Sequence, residues 1–259
     1  MKILRSLYLI INYKTFIVTI LAVVSTWMCD VYNIKADFPL TLIGIAIVFP
    51  VVFSIDSAFK RRERILALLG DFKAHLMAIY LASKDWIKED KEFREEMKKR
   101  LIDVYQSLRT YCTAEGDNYH ENEKMVFKAI KNLSTHAQKF RKLDMYLGEV
   151  SRVNQYISKL TIDMENIKVI RQYPTPITLR AYSRIFIYSF PILYGPYFQY
   201  MSENMSRGLE YMMPVVFTFI LISLDNIQSH LENPFDQVGE DDVKFDVELM
   251  EELLDEQEG

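Results

Sequence analysis

Charged side chains are absent from, or rare in, four stretches of this chain and crowd the rest of it. Residues 15–34 are apolar apart from Asp30, and residues 38–55 carry no charge. Residues 182–201 are charge-free from Ile185 onward, and 211–224 form the shortest run. Each comes close to the ~20 residues that an α-helix needs to cross a bilayer core. Only a few residues join the first stretch to the second, and the third to the fourth, so the pattern predicts four membrane helices in two hairpins. Between the hairpins the apolar positions recur three and four apart, as in Ile102, Tyr105 and Leu108 or Met125, Phe127, Ile130 and Leu133. That is the period of amphipathic helices. It predicts helices over about 57–85, 89–112, 120–143 and 145–171, an all-α bundle continuing out of the membrane.

The polar residues orient the spans. Lys2, Arg5 and Lys14 precede the first, Lys60, Arg61, Arg62 and Arg64 follow the second, and Arg180 and Arg184 flank the start of the third. The two short connections carry only Lys35 and Arg207. By the positive-inside rule both termini and the central region are cytoplasmic, in a multi-pass inner-membrane protein. No small-residue cleavage signal ends the first apolar run, so it reads as a retained helix. The domain reading is residues 1–56 for an N-terminal segment with the first two spans, 57–173 for a cytoplasmic helical domain, 174–228 for the last two spans, and 229–259 for an acidic cytoplasmic tail. In that tail Phe245, Val247, Leu249, Met250, Leu253 and Leu254 are interleaved with acids, which suits a short amphipathic helix that docks on something.

Composition changes the picture little. The net charge of −4 averages over blocks of opposite character, and the 2 cysteines, Cys29 and Cys112, suggest neither a disulfide framework nor a metal pair. No phosphate-binding glycine loop, HExxH or GxSxG is present, and the 4 histidines are scattered. His120 with Glu121 and Glu123 reads as a polar helix start. The basic clusters sit at membrane edges, which argues against nucleic acid as a partner. No enzyme is expected. One pattern stands out: Ile45, Phe49 and Phe53 fall every four residues in the second span and form a narrow apolar stripe. Spacing alone allows that stripe to face lipid or to line a pore. The RQYPTP run at 171–176 interrupts the helical pattern before the third span, either as a turn between domains or as broken backbone lining water.

Four places resemble the bestrophin family: TLIGIAIVF followed by SIDSAFKRRERILALLG at 41–70, TPITLRAYSRIFIYSF at 175–190, MPVVFTFILISLDNIQSHLENPF at 213–235, and the acidic GEDD at 239–242. The resemblance covers nearly the whole chain, and the NPF-then-acid ending is its most specific part. It implies a homopentameric, all-helical ion channel embedded in membrane lipid. Ile45, Phe49 and Phe53 would form three apolar rings in the neck, and Thr175 would line a cytoplasmic aperture. A threonine there, where members often have an apolar residue, implies a wetter opening. Arg62 and Glu63 replace the family's usual aromatic pair. In animal members the acidic run helps to bind calcium, which places Glu240, Asp241 and Asp242 at the matching positions. The extra residues 236–238, with Val243 and Lys244 weakening the acid run, argue against calcium here, so no cofactor is expected. Chloride, which animal members of the family pass, is the expected permeant ion; the basic collar after Phe59 would favour anions if it faces the pore and otherwise reads as positive-inside anchoring. The alternatives are a monovalent-cation channel of the same architecture and a non-conducting membrane-anchored scaffold.

Overall fold

The computed structural model describes residues 11–38, 40–87, 90–114, 118–174, 176–202, 209–236 and 242–256. Those residues form helices and no strands. In chain order they are α1 (Tyr13–Val31), α2 (Leu40–Trp86), α3 (Lys91–Thr113), α4 (Tyr119–Ala137), α5 (Leu147–Gln172), α6 (Ile177–Leu193), α7 (Gly195–Ser202), α8 (Leu209–Glu232) and α9 (Val247–Glu256), with a 3-10 turn at Gln138–Lys142. The chain divides into two compact units. One holds residues 1–62, 174–234 and 238–241; the other holds 63–173, 235–237 and 242–259.

In the first unit α1 packs on α6, α7 and α8. Among the described residues three helices are long and apolar enough to span a membrane: Tyr13–Val31, Gly44–Trp86 and Glu210–Glu232. The third apolar stretch, expected as one helix over 182–201, is instead two. Its first helix, α6, stops at Leu193, and α7 restarts at Gly195. Neither Pro191 in the last turn of α6 nor Pro196 in the first turn of α7 has an N–H to donate, so the hydrogen-bond ladder is interrupted between them. Gly195 is also the only residue type that fits there: a Cβ would stand 2.7 Å from Ser25 Oγ and 3.0 Å from Cys29 Sγ on α1.

Several polar groups in this unit are paired, as an apolar surrounding favours, although buried atoms such as Thr218 Oγ1, Ser223 Oγ and the Tyr194 hydroxyl have no partner. Asn12 caps α1 by accepting the Lys14 N–H at 3.0 Å, and its Nδ2 donates to Asn226 Oδ1 at 2.9 Å. Asn226 donates in turn to Thr15 Oγ1. Asp30, the one charge in the first apolar stretch, accepts from Gln199 on α7 at 2.8 Å and from Tyr211 on α8 at 3.2 Å. Asp225 on α8 accepts from the Tyr188 hydroxyl at 3.2 Å and faces Arg184 at 3.4 Å, while Arg184 also donates to Ser229.

The second unit is built on the α3–α4 pair and α5. On α3 the side chains of Phe93, Met97, Leu101, Val104, Leu108 and Tyr111 point inward at helical spacing. Asp90 caps the helix by accepting the Phe93 N–H at 2.8 Å. Burying a Leu or Phe side chain contributes about 1.5–3 kcal/mol, so this stripe supplies much of what holds the pair together. At the other end Arg171 stacks on Tyr111, 4.7 Å from the ring centre, and donates to the Ala114 carbonyl at 2.6 Å, closing the C-terminus of α3.

The acidic C-terminal stretch joins this core. Phe235, Val243, Phe245, Val247, Met250 and Leu254 are all buried in it. The Phe245 ring lies 6.2 Å from that of Tyr105, and Lys98 pairs with Asp255. Helix α9 therefore docks on α3 of its own chain. The other boundary that moved is at 57: no helix starts there, because α2 runs unbroken from the second apolar stretch to Trp86.

Candidate functional site

Helix α2 separates its two faces sharply. Ile47 is 2 % exposed and Val51 0 %, and Ser54 and Ala58 are also buried. On the opposite side Ile45 is 47 % exposed, Phe49 55 % and Phe53 58 %, with Val48, Val52 and Phe59 beside them. The Phe49 and Phe53 rings lie against one another, 6.0 Å between centres. The three residues expected in the neck therefore share one continuous apolar surface that their own chain leaves uncovered. A 370 Å³ cleft runs along the flank of this surface, lined by Ile45, Val48 and Phe49 together with Phe190, Phe217 and Leu221 from α6 and α8.

The charges that follow do not form the uniform basic collar read from sequence. Lys60 Nζ sits 2.6 Å from Asp56 Oδ2, one turn earlier on the same exposed face. Arg61 is turned elsewhere, with Nη1 3.5 Å from the Glu232 carbonyl. The Glu232 carboxylate holds Arg180 at 2.9 Å. At about 100° per residue, Asp56 stands only about 20° around the helix from Ile45. Ser57 Oγ donates to the Phe53 carbonyl at 2.8 Å, occupying the backbone acceptor where the apolar stripe ends.

The other candidates fare differently. Thr175 lies outside the described residues; Tyr173 and Pro176 to either side of it have non-helical backbone, with ψ 85° and 122°. Glu240 and Asp241 are outside them too, while Asp242 is half-buried beside the buried Val243. His120, Glu121 and Glu123 stand at the start of α4, where Glu121 pairs with Lys124 at 2.7 Å and Glu123 with Lys168 at 2.7 Å. Among the described residues no group of three or more histidine, cysteine, aspartate or glutamate side chains could hold a metal ion.

Two constellations escaped the sequence reading. One is the Arg184–Tyr188–Asp225–Ser229 set, whose signal was available: polar residues four apart in the third and fourth apolar stretches. The other joins His75 on α2 to Asp163 on α5, Nδ1 to Oδ2, at 2.8 Å. Nothing local announces that pair, since 88 residues separate its members.

No protein-family model matches the chain, and no curated protein matches it in sequence. Solved structures do match. A bacterial Bestrophin homolog from Klebsiella pneumoniae superposes with a TM-score of 0.76 at 13% identity, covering 94% of this chain and 94% of that one. A second single-substitution variant of that homolog gives 0.78 at 14%, covering 99% and 98%. A structure described as a membrane protein gives 0.76 at 13%, covering 95% and 97%. The all-helical fold is thus that of the bacterial bestrophin homologs, along essentially the full length of both chains.

Proposed function

We propose that five copies of this chain surround a central pore in the inner membrane, both termini cytoplasmic, and pass small monovalent ions passively. The observation that carries the reading is the uncovered stripe of Ile45, Phe49 and Phe53 on α2. Large apolar side chains exposed at 47–58 % on a helix from the membrane-like unit need a cover. Five such helices covering one another would make stacked apolar rings, a constriction that can gate by dewetting. The likeness of fold to bestrophin homologs supports that arrangement, and the distribution of lysine and arginine supports the orientation. No cofactor enters the reading, and calcium has no role in it.

Apolar rings do not choose the sign of the ion; the charges next to them do. Chloride is the ion that a free basic collar would favour. With Lys60 and Asp56 neutralising one another and Arg61 engaged at Glu232, these residues supply no free positive charge beyond Phe53. That removes the ground for preferring anions and makes a monovalent-cation channel of the same architecture the second reading. Reversal potentials of the purified protein in planar bilayers under asymmetric KCl test both. Reversal toward the potassium equilibrium value, shifted several-fold in permeability ratio toward chloride by Asp56→Asn, is the expected result. Reversal at the chloride value would restore the collar, and absence of current would leave a membrane-anchored scaffold.

A further inference from the structure

Asp163 is a carboxylate in an apolar core. It is 6 % exposed, on the same face of α5 as the buried Leu160, Met164 and Ile167. Its partner is His75 of α2, side-chain nitrogen to oxygen 2.8 Å, itself largely covered. The other titratable groups facing the pair come from the same two helices. Asp71 stands one turn before His75. On α5, Lys159 stands one turn before Asp163 with its ammonium 5.5 Å over the ring of Tyr156, and that ring lies 5.9 Å from the imidazole. Burial pushes the Asp163 carboxyl above its ordinary range, and the bond and charge of His75 oppose that shift.

We propose that the His75–Asp163 pair is a pH-sensitive latch between α2 and α5, closed when the imidazole is protonated. An imidazolium balances the buried carboxylate and donates to it through a charge-assisted bond. A neutral imidazole still donates its Nδ1–H, but leaves a charge in the core without a counterion, the costly arrangement for a buried ion. Histidine is the side chain whose ordinary titration, near about pH 6.5, lies in the physiological range. Protonation of Asp163 at lower pH would remove the charge that the imidazolium balances, so the latch is closed while the imidazole is charged and the carboxyl still ionised. Acidification through the histidine range therefore tightens the latch, and alkalinisation above that range loosens it.

The latch stands on this geometry alone, whereas its effect on conduction rests on the channel reading. Helix α2 also carries the neck stripe, and under the channel reading the pair would bear on conduction through that shared helix. Amide hydrogen exchange of residues 72–79 and 160–167, in the full chain in detergent, separates the two statements. The ratio of His75→Gln to wild-type exchange rates, taken at the same pH, should be several-fold at pH about 5.5 and approach unity near pH 8. In an Asp163→Asn background the same replacement should give a ratio that does not change with pH. A ratio for His75→Gln that is equal at both pH values overturns the latch. Currents recorded over the same range then decide the coupling: a pH response that His75→Gln abolishes supports it, and a response that survives overturns it. If no current flows at any pH the channel reading fails, and the exchange ratios still decide the latch.

Discussion

Phe49 and Phe53 pose the same question wherever an aromatic side chain sits half-exposed on a membrane helix, namely what removes it from water. Their ring contact and their alignment with Ile45 give three bulky groups at successive turns of one face. Replacing Ile45, Phe49 and Phe53 together by alanine should widen a pore neck and raise single-channel conductance in reconstituted bilayers several-fold. Unchanged current would remove the three from the conduction path. Spacing alone identified these residues, because a four-residue repeat needs no tertiary information. The state of the basic residues just beyond could not be read the same way. Whether Lys60 or Arg61 is available depends on where a long side chain finds a carboxylate, and the acceptor for Arg61 is at the far end of α8. Gly195 is a similar case: its neighbours Ser25 and Cys29 lie on another helix, and only the assembled unit shows why a side chain is excluded.

At the scale of elements, periodicity located the helices to within a few residues where the apolar pattern was strong, as for Lys91–Thr113 against the expected 89–112. It failed where two segments of different character joined without a breaker. Residues 38–86 contain no helix stop at the membrane edge, only a change from apolar to charged, and so α2 continues. It failed again at Leu193–Gly195, where composition stayed apolar and only the proline positions signalled the break. The acidic tail illustrates what interleaved apolar residues do. Phe245 is buried against Tyr105, whose phenol is held above its ordinary pKa chiefly by the same burial. Truncating a buried Phe to Ala typically costs about 3–5 kcal/mol. Phe245→Ala should therefore release α9, seen as faster protease cleavage after residue 242 with the rest of the second unit unchanged. Equal cleavage rates would mean that the tail is held by its charges instead.

For the whole molecule, the fold was accessible from sequence because four apolar runs, their lysine and arginine flanks and the NPF-then-acid ending all occur in one order. Assembly is a different matter, since one chain carries no statement of how many copies meet. The mass of the detergent-solubilised complex, measured by native mass spectrometry, should correspond to five chains, and a stable monomer or dimer would be incompatible with a central pore. The aperture and the calcium positions belong with the unread parts for a local reason. Thr175 sits between two prolines, and Glu240 and Asp241 in a glycine-led acidic run, so the sequence there offers neither helical periodicity nor an apolar face to read.

The close seating of Gly195 against α1 has a practical consequence. Cys29 is covered there, and Cys112 is buried in the other unit with its thiol pushed up to about 12 by desolvation, so it is not ionised at neutral pH. Thiol reagents attack the thiolate and need a path to it. The natural chain should therefore be silent toward maleimides and methanethiosulfonates, which mass spectrometry after labelling checks. A cysteine introduced at any single position along the exposed face of α2 would be the one reactive sulfur in the protein, and its rate of labelling from either side of the membrane would measure solvent access turn by turn.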